Sequence, residues 1–212
     1  MFTNLENITF VDIIDYLGTF AFALSGIRLA SEKKFDWFGA FIVGLATAVG
    51  GGTIRDLMLD KSPFWMTQWV YLVITGFALV LFVFLRKQIN RISNTIFLFD
   101  TIGLGLFTIV GIQRTIDAGF PLWTACAMGM LTGAAGGVLR DILINEVPLI
   151  FRRDIYALAC LAGGIFYAIG HHIGLPSEAC AIGCAMAVII IRLMAVLFHW
   201  QLPILHDDET QG

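Results

Sequence analysis

The chain has 212 residues, of which 58% are hydrophobic and 14% charged, with a formal net charge of −3. Soluble domains carry about 25% charged residues, so this composition cannot cover a water-facing surface and points to an integral membrane protein surrounded by lipid. The weak net charge, with no Lys/Arg cluster interleaved with aromatics, excludes a nucleic-acid partner.

The first ten residues, Met1 to Phe10, hold no Lys or Arg, so no cleavable signal peptide is expected and the first apolar segment directs insertion. A helix crossing the hydrocarbon core needs about 20 apolar residues. Seven segments qualify in chain order: Phe10–Ala30, Trp37–Leu59, Phe64–Leu85, Thr95–Ile116, Pro121–Ile144, Asp154–His171 and Ser177–His199. Turn chemistry separates them, as at Ser31-Glu32-Lys33-Lys34, Lys61-Ser62-Pro63, Arg86 to Asn94 and Gly174-Leu175-Pro176. Pro63, Pro121 and Pro148 fall at or near helix starts, where a missing N–H costs little. Cys126, Cys160, Cys180 and Cys184 lie inside apolar stretches and read as packing residues rather than disulfides or metal ligands.

Laid over itself with a shift of 85 positions, the chain repeats without a gap. Asp15 falls on Asp100, Gly18 on Gly103, Thr47 on Thr132, Gly51-Gly52 on Gly136-Gly137, Arg55-Asp56 on Arg140-Asp141 and Tyr71 on Tyr156. Internal duplication of apolar segments is a signature of transport proteins. Each copy holds three spans, an odd number, so the second copy enters the membrane from the opposite face. The expected fold is an all-α integral membrane protein of seven transmembrane helices. Two inverted three-helix repeats, about 10–86 and 95–171, and a seventh helix, about 177–199, make one transmembrane domain over 1–212. One face receives Arg28, Lys33, Lys34, Arg86, Lys87, Arg91, Arg152 and Arg153, the other only Lys61 and Arg114. The positive-inside bias then puts the C-terminus in the cytoplasm and the N-terminus outside. The acidic tail His206-Asp207-Asp208-Glu209 reads as a short solvated end.

The second and fifth spans hold the sharpest motif, Gly50-Gly51-Gly52-Thr53-Ile54-Arg55-Asp56 and Ala135-Gly136-Gly137-Val138-Leu139-Arg140-Asp141. Consecutive glycines weaken a helix and permit a kink or break. In lipid a break persists only where protein or a water-filled cavity satisfies the freed backbone groups. A functional break near the bundle centre is therefore expected at Gly50, Gly51, Gly52, Gly136 and Gly137, against the competing reading that the glycines only let helices pack closely. Arg55, Asp56, Arg140 and Asp141 are costly so near the apolar core, where a charge costs on the order of 3 kcal/mol. Two ion pairs are expected, Asp15–Arg55 and Asp100–Arg140, one near each mouth, serving as gates or as staples between helices. The hydroxyls of Ser25, Thr47 and Thr132 can line a pore or bond their own backbone.

At these two motif copies the chain resembles the prokaryotic branch of the trimeric intracellular cation channels, relatives of which are also described as putative glycine transporters. The resemblance covers nearly the whole chain. It implies a homotrimer in a prokaryotic inner membrane, with a separate pore through each protomer. It also implies permeation by monovalent cations, mainly potassium, and a pore shaped by the glycine-rich kinks. The second copy departs at Ala135, which matches Gly50, so the two kinks differ in flexibility. Animal members bind phosphoinositide through a Lys-Glu-Val element; this chain has Asn145-Glu146-Val147, and lipid regulation is not carried over.

Three functions compete: a passive cation channel, a secondary transporter for a small solute such as glycine, and a non-conducting scaffold. No cofactor is expected, only permeant K+ or Na+. An enzyme is the weakest reading, because no span carries a Ser/His/Asp set, a metal-ligand cluster or a phosphate loop at workable spacing.

Overall fold

The computed structural model describes residues 8–91 and 95–203, without the side chains of Asn90 and Arg91. The tail His206-Asp207-Asp208-Glu209, most of Met1 to Phe10 and the Arg91 side chain therefore lie outside the described residues. The described chain forms helices α1 (Phe10–Glu32), α2 (Trp37–Met58), α3 (Phe64–Thr67), α4 (Val70–Arg91), α5 (Thr95–Asp117), α6 (Leu122–Leu143), α7 (Ala157–His172) and α8 (Ser177–Leu197), with a 3-10 turn at Leu149–Phe151.

Local chemistry sets the helix ends. Thr9 and Asp12 form a reciprocal capping box at the start of α1. Asp36 caps α2 by accepting from the Gly39 N–H. Pro63, Pro121 and Pro176 occupy the N-cap positions of α3, α6 and α8, and Pro148 that of the 3-10 turn.

The shift of 85 found in the sequence also relates the helix limits of α1 to those of α5, and of α2 to those of α6. It reaches the backbone of the turns. Lys34 (φ 60°) matches Gly119 (φ 83°), and Asp60 (φ 55°) matches Asn145 (φ 58°). Both copies thus leave their helices through left-handed residues, whether or not glycine is there to make that conformation inexpensive.

One expected span is corrected and another is shortened at its start. The third begins as the short helix α3, stops at Gln68, and resumes as α4, which runs past Leu85 to Arg91. The sixth, expected over Asp154–His171, is α-helical over Ala157–His172 and follows the 3-10 turn and an irregular stretch that lie before it. Both short elements sit just after a proline that opens a tight turn, at matching places in the two copies.

Six helices are long and apolar enough to cross a membrane, and α7, at 16 residues, is a shorter apolar helix. Large apolar side chains face outward: Phe84 is 80% exposed and Trp123 75%. An all-helical membrane protein is the structure that tolerates such a surface. Helices α1, α2, α5 and α6 pack against one another as the centre, with α4 against α1 and α2. Helix α8 packs against α7 and α5, on the side of the second copy. The four cysteines are buried and free, as packing residues.

Candidate functional site

The two glycine motifs meet where α2 crosses α6. Both helices continue through their glycines without interruption, so the expected break is corrected. A Cβ added to Gly51 would fall on the carbonyl oxygen of Thr132, and one on Gly136 on the carbonyl oxygen of Thr47, both well inside 3.0 Å. The bare α-carbons therefore let two backbones touch, which is the helix-packing use of small residues in membranes. The other motif glycines make room for side chains: Gly50 for Leu139, Gly52 for the Phe64 ring and Gly137 for the Tyr156 hydroxyl. A glycine's missing side chain shows in sequence, but what fills its place does not.

The hydroxyls of Thr47 and Thr132 donate to the carbonyls of Val43 and Met128, each at 2.6 Å and each one turn back along its own helix. Both threonines are fully buried. Ser25 has a different role: its Oγ accepts from Arg140 Nη1 at 2.8 Å, linking the first copy to the second.

Beyond the crossing, each copy builds a cluster around its Arg-Asp pair. In the first, Arg55 donates from Nε and Nη2 to Asp56 Oδ1, at 2.9 and 2.7 Å. Asp56 Oδ2 accepts the Phe64 N–H at 2.9 Å, which fixes the start of α3. The Arg55 guanidinium lies 5.6 Å from the centre of the Phe64 ring. Asp15 instead accepts from the Tyr71 hydroxyl at 2.8 Å. Among the described residues no ion pair joins Asp15 to Arg55; the adjacent Asp56 holds the guanidinium. That half of the expected pairing is corrected.

The second cluster repeats this scheme and adds to it. Arg140 donates to Asp141 Oδ1 at 2.9 Å, and Asp141 Oδ2 accepts the Leu149 N–H at 3.1 Å. Here the guanidinium also reaches the matching carboxylate: Nη1 lies 2.6 Å from Asp100 Oδ1. Tyr156, the counterpart of Tyr71, is 3.4 Å from the same oxygen. Arg140 and Asp100 are each 1% exposed, so their charges depend on each other rather than on water. A second arginine, Arg192 of α8, stands on the far side of Asp100, its Nη2 4.0 Å from Oδ2. Sequence reasoning placed Arg192 within a span but gave it no role. It also passed over Tyr71 and Tyr156, although their match across the repeat was visible.

Two cavities reach this second cluster. One of about 500 Å³ is lined by Lys33, Arg140, Asp141, Glu146 and Arg152. At its rim Lys33 Nζ bonds Glu146 Oε1 at 2.5 Å, and Arg152 lies 3.4 Å from the other carboxylate oxygen. The Lys33 ammonium holds the Glu146 carboxyl below its usual range. The other cavity, about 270 Å³, is lined by Asp100, Arg140, Asp154 and Arg192 together with apolar side chains of α5 and α8. The arrangement keeps several full charges buried and mutually neutralised beside water-sized spaces, which suits passage or binding of small polar species.

Comparison with known proteins agrees with this architecture. The model of the glycine transporter family matches twice, over residues 12–87 and 97–172. The inner membrane protein YadS of Escherichia coli K12 is 37% identical over 200 residues, covering 93% of this chain and 97% of that protein. The trimeric intracellular cation (TRIC) channel orthologue from Rhodobacter sphaeroides superposes with a TM-score of 0.85 at 32% identity, covering 91% of this chain and all of that one. A second structure, described in a study of conductance through TRIC cation channels, gives a TM-score of 0.83 at 31% identity over 96% of this chain. With the doubled family match and these likenesses over nine-tenths of its length, the chain belongs to the prokaryotic trimeric intracellular cation channel family, whose family model bears the description glycine transporter.

Proposed function

We propose that this chain is a monovalent cation channel of a prokaryotic inner membrane, preferring potassium, with one pore per protomer of a homotrimer. The observation that carries the reading is its likeness, at 32% and 31% identity over nearly the whole chain, to two solved structures of TRIC cation channels. Seven membrane crossings follow if α7 spans with the help of the turn that precedes it. Two inverted repeats and an external N-terminus then follow from the odd number of spans per copy and the loop charges. The path runs beside the glycine crossing of α2 and α6, with the Asp15/Arg55/Asp56 cluster toward the outside and the Asp100/Arg140/Asp141 cluster toward the cytoplasm. Each arginine is held by a carboxylate, which removes the repulsion that an unpaired guanidinium would exert on a passing cation. Gly50, Gly51, Gly52, Gly136 and Gly137 act by setting how closely α2 and α6 approach, and so how wide the neighbouring space can be.

The family description favours one alternative, a secondary transporter for glycine. Recording from purified protein in planar bilayers with potassium and sodium on opposite sides separates the two. Unitary currents that reverse toward the potassium equilibrium potential are expected. Saturable, exchange-type glycine uptake without unitary currents would replace the channel by the carrier.

A further inference from the structure

The carboxylate of Asp100 has two arginines and one firm bond. Its Oδ1 takes Arg140 Nη1 at 2.6 Å. Its Oδ2 is buried with no hydrogen-bond partner, and the same holds for Nε of Arg192. Neither orphan atom is open to a water-sized probe, so no solvent or small ligand touches it in this arrangement. The two residues already face each other: Arg192 Nη2 stands 4.0 Å from Oδ2. A charge-assisted bond forms at about 2.7–2.9 Å, so a shift of about 1 Å closes the pair. The 270 Å³ cavity bordered by Asp100, Arg140 and Arg192 gives the carboxylate room to turn.

Arg192 is already held for this task. Its guanidinium lies 5.1 Å from the centre of the Phe97 ring and 5.0 Å from that of Tyr156. Its Nη1 donates to the Ile155 carbonyl at 3.1 Å. It sits on α8, the one long helix without a counterpart in the other copy; the second arginine near Asp15 is Arg114, which Asp12 already holds. The buried charges balance differently as a result. Arg55 is bound by Asp56 alone, whereas Arg140 is bound by both Asp100 and Asp141 and Arg192 stands beside Asp100.

We propose that Arg192 is a positioning residue, the alternative partner of Asp100, so that the carboxylate passes to α8 whenever Arg140 lets it go. Release of Arg140 then strands no buried anion, and the second cluster has two states of similar energy where the first has one. The exchange stands on this geometry alone; its effect on conduction rests on the channel reading.

Thermal unfolding of the purified full-length protein in detergent tests the exchange. Arg192→Gln should lower Tm only slightly on its own, and at least twice as much in an Arg140→Gln background. The excess should vanish when Asp100→Asn is added. Equal losses in both backgrounds would overturn the exchange and leave Arg192 as packing. Should Arg140→Gln fail to fold, Arg140→Lys supplies the weakened background and the same criterion applies. Single-channel recording tests the consequence. Arg192→Gln should reduce open probability about tenfold or more at unchanged unitary conductance. Arg192→Lys should restore part of it, and Arg192→Gln should do nothing further in Asp100→Asn. A changed conductance at unchanged open probability would mean that Arg192 acts through its field on the ion path, and would overturn the gating role. Absence of any wild-type current would sink the channel reading instead, and the unfolding result would still decide the exchange.

Discussion

The two Arg-Asp clusters share a motif, a depth within the copy and a hydrogen bond to the backbone of the following turn, yet they are wired differently. In the first, arginine and distant carboxylate are separate: Arg55 binds Asp56, and Asp15 binds Tyr71. In the second, Arg140 ties Asp100, Asp141 and Ser25 together, with Arg192 beyond. The difference follows from what surrounds each copy. Helix α8 lies against α5 and adds a cation beside Asp100. Among the described residues no helix from outside the repeat packs on the first copy in that way, and the arginine that α5 brings near Asp15, Arg114, is held by Asp12. Duplicated sequence therefore fixed the shared bonds, and the unduplicated helix is where the copies diverge.

That comparison can be broken first at the crossing, where symmetry should hold. Gly51→Ala and Gly136→Ala each push a methyl group into a carbonyl of the facing helix. Overpacking typically costs about 1–3 kcal/mol, and here the obstacle is main chain, so the double variant should fail to fold. Alanine at Gly76 or Gly183, which face open space, should be near neutral. Thermal unfolding in detergent reads all four, and clearly unequal losses at Gly51 and Gly136 would end the claim of a symmetric crossing. The tyrosines should then show the asymmetry. Tyr71→Phe removes the hydroxyl bonded to Asp15 at 2.8 Å, and a bond to a charged group is worth about 1.5–3 kcal/mol. Tyr156→Phe removes a 3.4 Å contact to a carboxylate already held by Arg140, and should cost about 1 kcal/mol or less. The reverse order would mean that Asp15 has a partner other than Tyr71.

The smallest effect belongs to the rim of the larger cavity. Lys33 keeps the Glu146 carboxyl more acidic in the folded protein than in the unfolded chain. A depressed carboxylate contributes stability above its ordinary range, near pH 4.3, and loses it as pH falls through the lowered value. The Tm difference between wild type and Glu146→Gln should thus be small at neutral pH and shrink as acid protonates the carboxylate. A difference that persists in acid would show that Glu146 acts by packing rather than charge.

Much of this was readable from the residues. The limits of α1, α2, α5 and α6 followed from apolar run length and turn chemistry, because a span in lipid has few other solutions. The interruption at Gln68 was missed, since Phe64-Trp65-Met66 looks as apolar as any span, whereas the gap between Ile144 and Asp154 was expected. Asp100–Arg140 was found by matching depths across the repeat. Depth alone failed for Asp15–Arg55, because it ignores the competing carboxylate one residue away at Asp56. Arg192 had no repeat partner to mark it, and only packing brings α8 beside Asp100.

Main chain touching main chain at Gly51 and Gly136 has a mechanical consequence. With no side chain between them, α2 and α6 cannot slide or separate there without losing the contact outright, yet they can rotate about it. The crossing is a fulcrum. Rocking of one helix over the other at this point would carry its two ends in opposite senses, closing the pair at one membrane surface as it opens at the other.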